Sequence, residues 1–212
     1  MYSQVLIIVG AGGFGREVYQ WALDQIEAGK ASFSKIQFVE DAPGKLTFPE
    51  VSDNFRGSVS DYVPRSSELA VVAIGNSQTR RNVTENLRRN GARFGSVVHP
   101  SSTIARNAVQ NEGLILCPNS CLSANTKIGA HVHINFGSGV GHDSILGDFV
   151  TVSSHADIMG NCILGDDVFL GSGARVLPKC KVASGTRVGA GATVQRSIKK
   201  KSTLYHVATK KM

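Results

Sequence analysis

From Val98 onward the chain repeats a six-residue pattern of apolar and polar positions. Every sixth residue from Val98 to Val194 is aliphatic, with Gln110 the one exception. Four residues after each aliphatic position the side chain is mostly small, as at Ser138, Ser144, Ala156, Cys162 and Ala174. Glycine often follows the aliphatic residue, at Gly129, Gly141, Gly147, Gly165, Gly171 and Gly189. A period of six held for about a hundred residues is neither the 3.6 of a helix nor the 2 of a hairpin meander. In an extended segment alternate side chains share a face. The small residue and the aliphatic residue two positions later therefore both point inward. The next positions turn a corner, which glycine tolerates. Three such sides close a triangular turn, and successive turns stack as parallel strands about 4.8 Å apart. The pattern predicts between five and six stacked coils with no long loop leaving them. Position 160 is then expected one coil above position 142, on the same edge.

Residues 1–97 lack this repeat and alternate strand and helix signals. Val5–Val9 reads as a short, fully apolar strand, and Gly10-Ala11-Gly12-Gly13-Phe14-Gly15 follows it. A helix is expected from Arg16 to about Ala28, a strand over Ile36–Val39 ending in Glu40-Asp41, and a third strand over Leu69–Ile74. A second helix is expected over Ser77–Arg89, and Phe94–Val98 leads into the coil. This predicts a small Rossmann-like α/β domain with a parallel sheet over 1–97, a parallel β-helix over 98–198, and a basic tail over 199–212.

Gly10, Gly12 and Gly15 fit the spacing G-x-G-x-x-G between a strand and a helix. Glycines there let backbone approach a phosphate, and the helix start supplies N–H donors. Gly10, Gly12, Gly13, Phe14 and Gly15 are thus candidate nucleotide contacts. Glu40 and Asp41 end the next strand, where an acid can accept from ribose hydroxyls. The domain is too short for a second mononucleotide half, so a single nucleotide, such as a uridine diphosphate carrier, suits it better than a dinucleotide. The same glycines could also serve a tight turn that holds no ligand.

Composition narrows the class further. The 212 residues are 42% hydrophobic and 18% charged, with 23 glycines, as in a folded globular protein. The net charge of +7 is concentrated: Arg196, Lys199, Lys200, Lys201, Lys210 and Lys211 supply +6 beyond residue 195 with no acid among them. The body is near neutral, without the basic stripe that nucleic-acid binding requires. No apolar stretch is long enough to span a membrane, and the N-terminus has no basic region or cleavage site of a signal peptide. The cytoplasm is the expected location. Cys162 and Cys180 fall on stacked inward positions and read as core, and Cys117 and Cys121 also fit the repeat. No spacing of His131 and His133 with other ligands suggests a metal site. His155 falls on a different corner of the coil from His142.

An amino-terminal VGAGGFGRE joined to a C-terminal six-residue coil resembles one group of bacterial hexapeptide-repeat sugar acetyltransferases. It includes sialic acid O-acetyltransferases and N-acetyltransferases of nucleotide-linked 4-amino sugars. The resemblance covers nearly the whole chain, and its most specific stretch runs from Ile134-Asn135 through Val140-Gly141-His142-Asp143 to Gly160-Asn161. It implies a left-handed β-helix, where generic crossover rules would favour the right hand. It also implies His142 as catalytic base and Asp143 as its carboxylate partner; the Gly160 amide, expected one coil above on the same edge, is the candidate oxyanion donor. Acetyl-CoA is the implied co-substrate, with contacts carried to Asn135, Thr151, Ser172, Ala190 and Lys210, and a homotrimer is the implied assembly. Relatives often carry His where this chain has Thr151. They usually end in Gly-Val-Pro-Ala-Lys, where this chain has Tyr205-His206-Val207-Ala208-Thr209-Lys210. The leading expectation is acetylation of the amine of a nucleotide-linked amino sugar for surface glycan synthesis. O-acetylation of a sialic acid or other sugar, and a trimeric binding module without catalysis, stay open at this point.

Overall fold

The computed structural model describes residues 4–42, 44 and 46–205. The chain divides into two compact units, Met1–Pro100 with Glu112–Cys117, and Ser101–Asn111 with Pro118–Met212.

The first unit runs β1 (Gln4–Val9), α1 (Gly13–Glu27), β2 (Phe33–Val39), α2 (Pro49–Ser52), β3 (Phe55–Gly57), β4 (Glu68–Val72), α3 (Ser77–Arg89) and β5 (Val97–Val98). Strands β3-β2-β1-β4 form one sheet, and every pair in it is parallel. Strand β1 is buried on both faces, which is why it reads as an unbroken apolar run. Leu6 and Ile8 pack with Val18 and Ala22 of α1 and with Phe38. Ile7 and Val9 face the other way, onto Val72 and Leu87.

Three details differ from the sequence expectation. Helix α1 starts at Gly13 rather than Arg16, so the later glycines of the loop lie in its first turn. A Cβ on Gly15 would collide with the Gly10 carbonyl oxygen. The short elements α2 and β3 were not expected. Segment 112–117 belongs with the first unit because Val97–Val98 pairs in parallel with Ile115–Leu116. Ile115 and Cys117 also join the Leu6–Phe38 core.

The second unit is a stack of two-residue strands in three parallel sheets. One holds Thr103–Ile104, Cys121–Leu122, Gly139–Val140, Asp157–Ile158, Arg175–Val176 and Thr193–Val194. The second holds Val109–Gln110, Lys127–Ile128, Ile145–Leu146, Ile163–Leu164 and Lys181–Val182. The third includes His133–Ile134, Thr151–Val152, Phe169–Leu170, Arg187–Val188 and Thr203–Leu204. The last of these strands lies beyond residue 198, so the coil runs further than the repeat alone indicated.

Val140, Leu146, Val152 and Ile158 form the buried ladder, alternating with Ser138, Ser144, Ala156 and Cys162. The buried hydroxyls of Ser138 and Ser144 are satisfied, as buried polar groups generally are. Ser144 Oγ donates to the Met159 carbonyl at 3.0 Å and accepts from the Cys162 amide at 3.0 Å. No helix among the described residues is long and apolar enough to cross a membrane.

The corners follow a rule that the glycine pattern did not reveal. A left-handed φ recurs every sixth residue, at Asn119, Asn125, His131, Gly137, Asp143, Phe149, His155, Asn161 and Asp167. Asn, Asp and His, the side chains that best tolerate that region, dominate the set. The glycines that follow the aliphatic position do not have positive φ. Their role is close approach: a Cβ on Gly141 would stand 2.7 Å from the Gly160 nitrogen, and one on Gly171 2.6 Å from the Ala190 nitrogen.

Candidate active site

His142 and Asp143 form the corner that follows the strand Gly139–Val140. Asp143 occupies the left-handed position with φ 59°, and its Oδ2 lies 2.7 Å from His142 Nδ1. Asn125 Nδ2, one coil below, donates to Asp143 Oδ1 at 2.9 Å. The bond from His142, and then the bond from Asn125, hold the Asp143 carboxyl below its ordinary value. An ionised carboxylate against Nδ1 places the ring proton on Nδ1 and leaves the lone pair on Nε2. The His142 side chain is 60% exposed, so that lone pair is open to a substrate.

Gly160 lies where the stacked register predicts. A Cβ built on it would stand 2.5 Å from His142 Nε2, so the imidazole rests directly over this glycine. Among the described residues the Gly160 amide donates to no protein group. The Asn161 amide bonds the His142 carbonyl at 2.8 Å and ties the two coils at this corner. A lone pair on Nε2 and a free N–H on one edge are the parts needed to deprotonate a nucleophile and to stabilise the oxygen of the carbonyl it attacks.

The residues expected at acetyl-CoA lie elsewhere on the coil. Asn135, Ser172 and Ala190 belong to the corner that follows the sheet containing Thr151, a different edge from that of His142. Ser172 and Ala190 are exposed and stacked one coil apart, whereas Thr151 is buried. Asn135 Nδ2 donates to the Val152 carbonyl at 3.1 Å. Within one chain these residues and His142 are not brought together. His155 shares the second edge, edge-on to Phe136 with ring centroids 5.0 Å apart. Lys210 falls outside the described residues.

The glycine loop of the first unit opens onto a cleft of about 410 Å³. Gly10, Gly12, Gly13 and Phe14 line one wall, Glu40 and Asp41 another, and Ala73–Gly75 a third. The cleft lies at the carboxyl ends of β1 and β4, where the strand order 3-2-1-4 reverses, the usual place for a ligand in an open parallel sheet. Gly15 does not line it, because it packs against Gly10.

Both acids are engaged by backbone. Glu40 Oε2 accepts from the Ala11 amide at 2.7 Å and Oε1 from the Ala42 amide at 2.9 Å. Asp41 Oδ1 accepts from the Val59 amide at 2.8 Å. Glu40 therefore braces the glycine turn as well as facing the cleft. The fully buried Arg80 was not anticipated. It braces the opposite wall, with Nη1 donating to the Ile74 carbonyl at 2.8 Å. An arginine in a polar helix gives no periodic signal of burial.

An α/β unit with a glycine-lined cleft, joined to a six-residue coil with a His–Asp pair on its edge, has the architecture of a hexapeptide acyltransferase. Residues 5–87 match the family described as PglD N-terminal domain, and residues 161–196 match bacterial transferase hexapeptide repeats. The chain is 32% identical over 151 residues to a GDP-perosamine N-acetyltransferase from Escherichia coli O157:H7, covering 70% of this chain and 67% of that protein. The acetyltransferase domain of PglB from Neisseria gonorrhoeae FA1090, solved with acetyl coenzyme A, superposes with a TM-score of 0.82 at 27% identity, covering 95% of each chain. PerB from Caulobacter crescentus, solved with CoA and GDP-perosamine, superposes with a TM-score of 0.78 at 26% identity, covering 93% of this chain and 91% of that one. The chain belongs to the hexapeptide-repeat sugar acetyltransferases, and its coil is the left-handed parallel β-helix of that family.

Proposed function

We propose that this protein transfers the acetyl group of acetyl-CoA to the amine of a nucleotide-linked amino sugar, with His142 as general base. The observation that carries this reading is the His142–Asp143 pair lying over the free amide of Gly160. The cleft at Gly10–Phe14 binds the nucleotide of the acceptor, and the coil performs the transfer.

The neutral amine attacks the thioester carbonyl carbon, a C–N bond forms, and the carbonyl electron pair moves onto oxygen, facing the Gly160 N–H. His142 Nε2 takes the proton from the attacking nitrogen while Asp143 balances the imidazolium charge. Collapse re-forms the carbonyl, breaks the C–S bond and releases CoA, whose thiolate accepts the proton from His142. No metal is required by these steps.

Asn135, Thr151, Ser172 and Ala190 are proposed acetyl-CoA contacts. Because they stand on a different edge from His142, a complete site needs the edge of a second copy, and a homotrimer supplies it. The cytoplasm is the proposed compartment.

The test is a panel of nucleotide-linked amino sugars incubated with acetyl-CoA, read by CoA release and by mass spectrometry of the product. An N-acetylated nucleotide sugar is expected. Acetylation of sialic acid hydroxyls, with every nucleotide amino sugar left untouched, would replace this reading.

A further inference from the structure

The edge that carries His142 also carries a polar ladder which the proposed chemistry has not used. Asn107 Nδ2 donates to Asn125 Oδ1 at 2.6 Å, and Asn107 Oδ1 accepts from the Asn125 amide at 3.2 Å. Asn125 Nδ2 in turn donates to Asp143 Oδ1. We infer that Asn125, held by Asn107, is a positioning residue for acyl transfer, clamping Asp143 so that the carboxylate addresses His142. The inference rests on the reading of His142 as base.

Asp143 is anchored at both oxygens, Oδ2 by the imidazole and Oδ1 by Asn125. A carboxylate held at one oxygen on an exposed corner can rotate about its side-chain bonds; one held at both cannot. The bond from Asn125 also favours the ionised carboxylate, which keeps the ring proton on Nδ1. Asparagine suits the position twice over. Its φ of 60° is a region that Asn accepts, and its amide both donates upward and accepts from below, which an ionised Asp, an acceptor only, cannot do. The other corner asparagine beside the pair, Asn161, meets it through its backbone amide instead. The groups facing the pair from adjacent coils are neutral: Ala124 and Asn125 below, Gly160 and Asn161 above. The nearest charged residues stacked in register with the pair are Arg106 two coils below and Lys179 two coils above, with Arg196 three coils above.

Three full-length variants test the inference. Asn125→Gly deletes the amide while keeping a residue that accepts the left-handed corner. Asn125→Asp keeps the shape, removes the donor and adds a charge. His142→Ala removes the base. Turnover is measured with saturating acceptor and acetyl-CoA, and the His142 ring is titrated by 15N NMR.

Asn125→Gly is expected to lower kcat about tenfold, the worth of one hydrogen bond, with KM for acetyl-CoA little changed. Its imidazole midpoint should fall, because a loosened carboxylate stabilises the imidazolium less. In Asn125→Asp the midpoint should rise, because a second carboxylate stabilises it more. These opposite shifts would not come from a merely structural corner. If either the fall in kcat or the opposed shifts are absent, Asn125 has no positioning role. Wild-type turnover in His142→Ala would instead remove the base assignment, and the ring titration separates that failure from the first. Should Asn125→Gly fail to fold, Asn125→Asp alone decides: a loss of turnover with a raised midpoint sustains the clamp, and anything else overturns it.

Discussion

At the scale of single residues the pair His142–Asp143 and the glycine stacked against it work by contact and charge. His142→Ala should leave the fold intact, since the side chain is exposed, and lower turnover by about 10²–10⁴-fold. Far-ultraviolet circular dichroism and steady-state rates measure the two halves of that statement. Gly160→Ala is a finer probe. The residue has no positive φ, so its backbone accepts a methyl group, but that Cβ would stand 2.5 Å from Nε2. The ring must move, and a displacement near 1 Å in a catalytic group costs roughly 10²-fold in rate. The expected result is a folded protein with a kcat depressed by about that factor.

The acid behaviour of the pair follows from Asp143. Its carboxyl is held low in the folded state, mainly by His142. Its contribution is therefore present above the unfolded pKa and lost only as pH falls through the lower folded value. Above that range the carboxylate stays ionised, so the loss of kcat/KM on acidification should follow one proton, on the imidazole. In Asp143→Asn the acidic limb should move to lower pH, since an uncharged partner stabilises the imidazolium less. A pH–rate profile of the two proteins checks the direction.

At the scale of elements, the corner rule makes stability predictions that point in opposite ways. Lys179 carries a left-handed φ of 65° without the local hydrogen bonding that Asn or Asp offers. Lys179→Gly removes a conformational cost of about 1–2 kcal/mol and adds an entropic one of about 0.5–1 kcal/mol. A net gain of up to about 1.5 kcal/mol is expected, read as a rise in Tm of up to about 4 °C. Phe149 has the same backbone, φ 58°, but is 5% exposed and stacks on His131 with ring centroids 5.1 Å apart. Phe149→Gly should lose roughly 3–5 kcal/mol, because the buried ring outweighs the relieved corner. Equal shifts for the two substitutions in thermal unfolding would refute the rule.

These corners also show what a sequence reveals and what it hides. The inward ladder was legible because a period of six repeats many times and an apolar position tolerates few substitutes. The helix α3 was legible from its composition instead, and its observed bounds are Ser77–Arg89. The left-handed positions were not, because Asn, Asp, His, Phe, Lys and Gly share no hydropathy, only a backbone angle. Glycines after the aliphatic residue were visible, but their reason was not, since the clash they avoid is with a coil one full turn away. The elements α2 and β3 span four and three residues, too few for any period to register. His142 over Gly160 came from counting one coil along the repeat. The same count applied downward from Asp143 reaches Asn125 and Asn107, a signal present in the sequence but carried by neutral residues with no chemistry of their own.

At the scale of the whole molecule, the separation of the base from the proposed acetyl-CoA contacts becomes a prediction about assembly. In a ring of three identical chains each interface is heterologous: one chain offers the His142 edge, and its neighbour offers the edge of Ser172 and Ala190. Two inactive variants should then repair each other. His142→Ala destroys the first edge, and Ala190→Trp, at an exposed corner, obstructs the second. Each alone should sediment as a trimer with little turnover. Chains unfolded and refolded together in equal amounts assemble at random. About a quarter of the interfaces then pair an intact His142 edge with an intact neighbouring edge, so activity should recover to about that fraction of wild type. Recovery can occur only if the two edges of one site belong to different chains. A mixture as inactive as its components, in trimers shown by mass to contain both variants, would place the base and the acetyl-CoA contacts of each site on the same chain and break the link between trimer and catalysis.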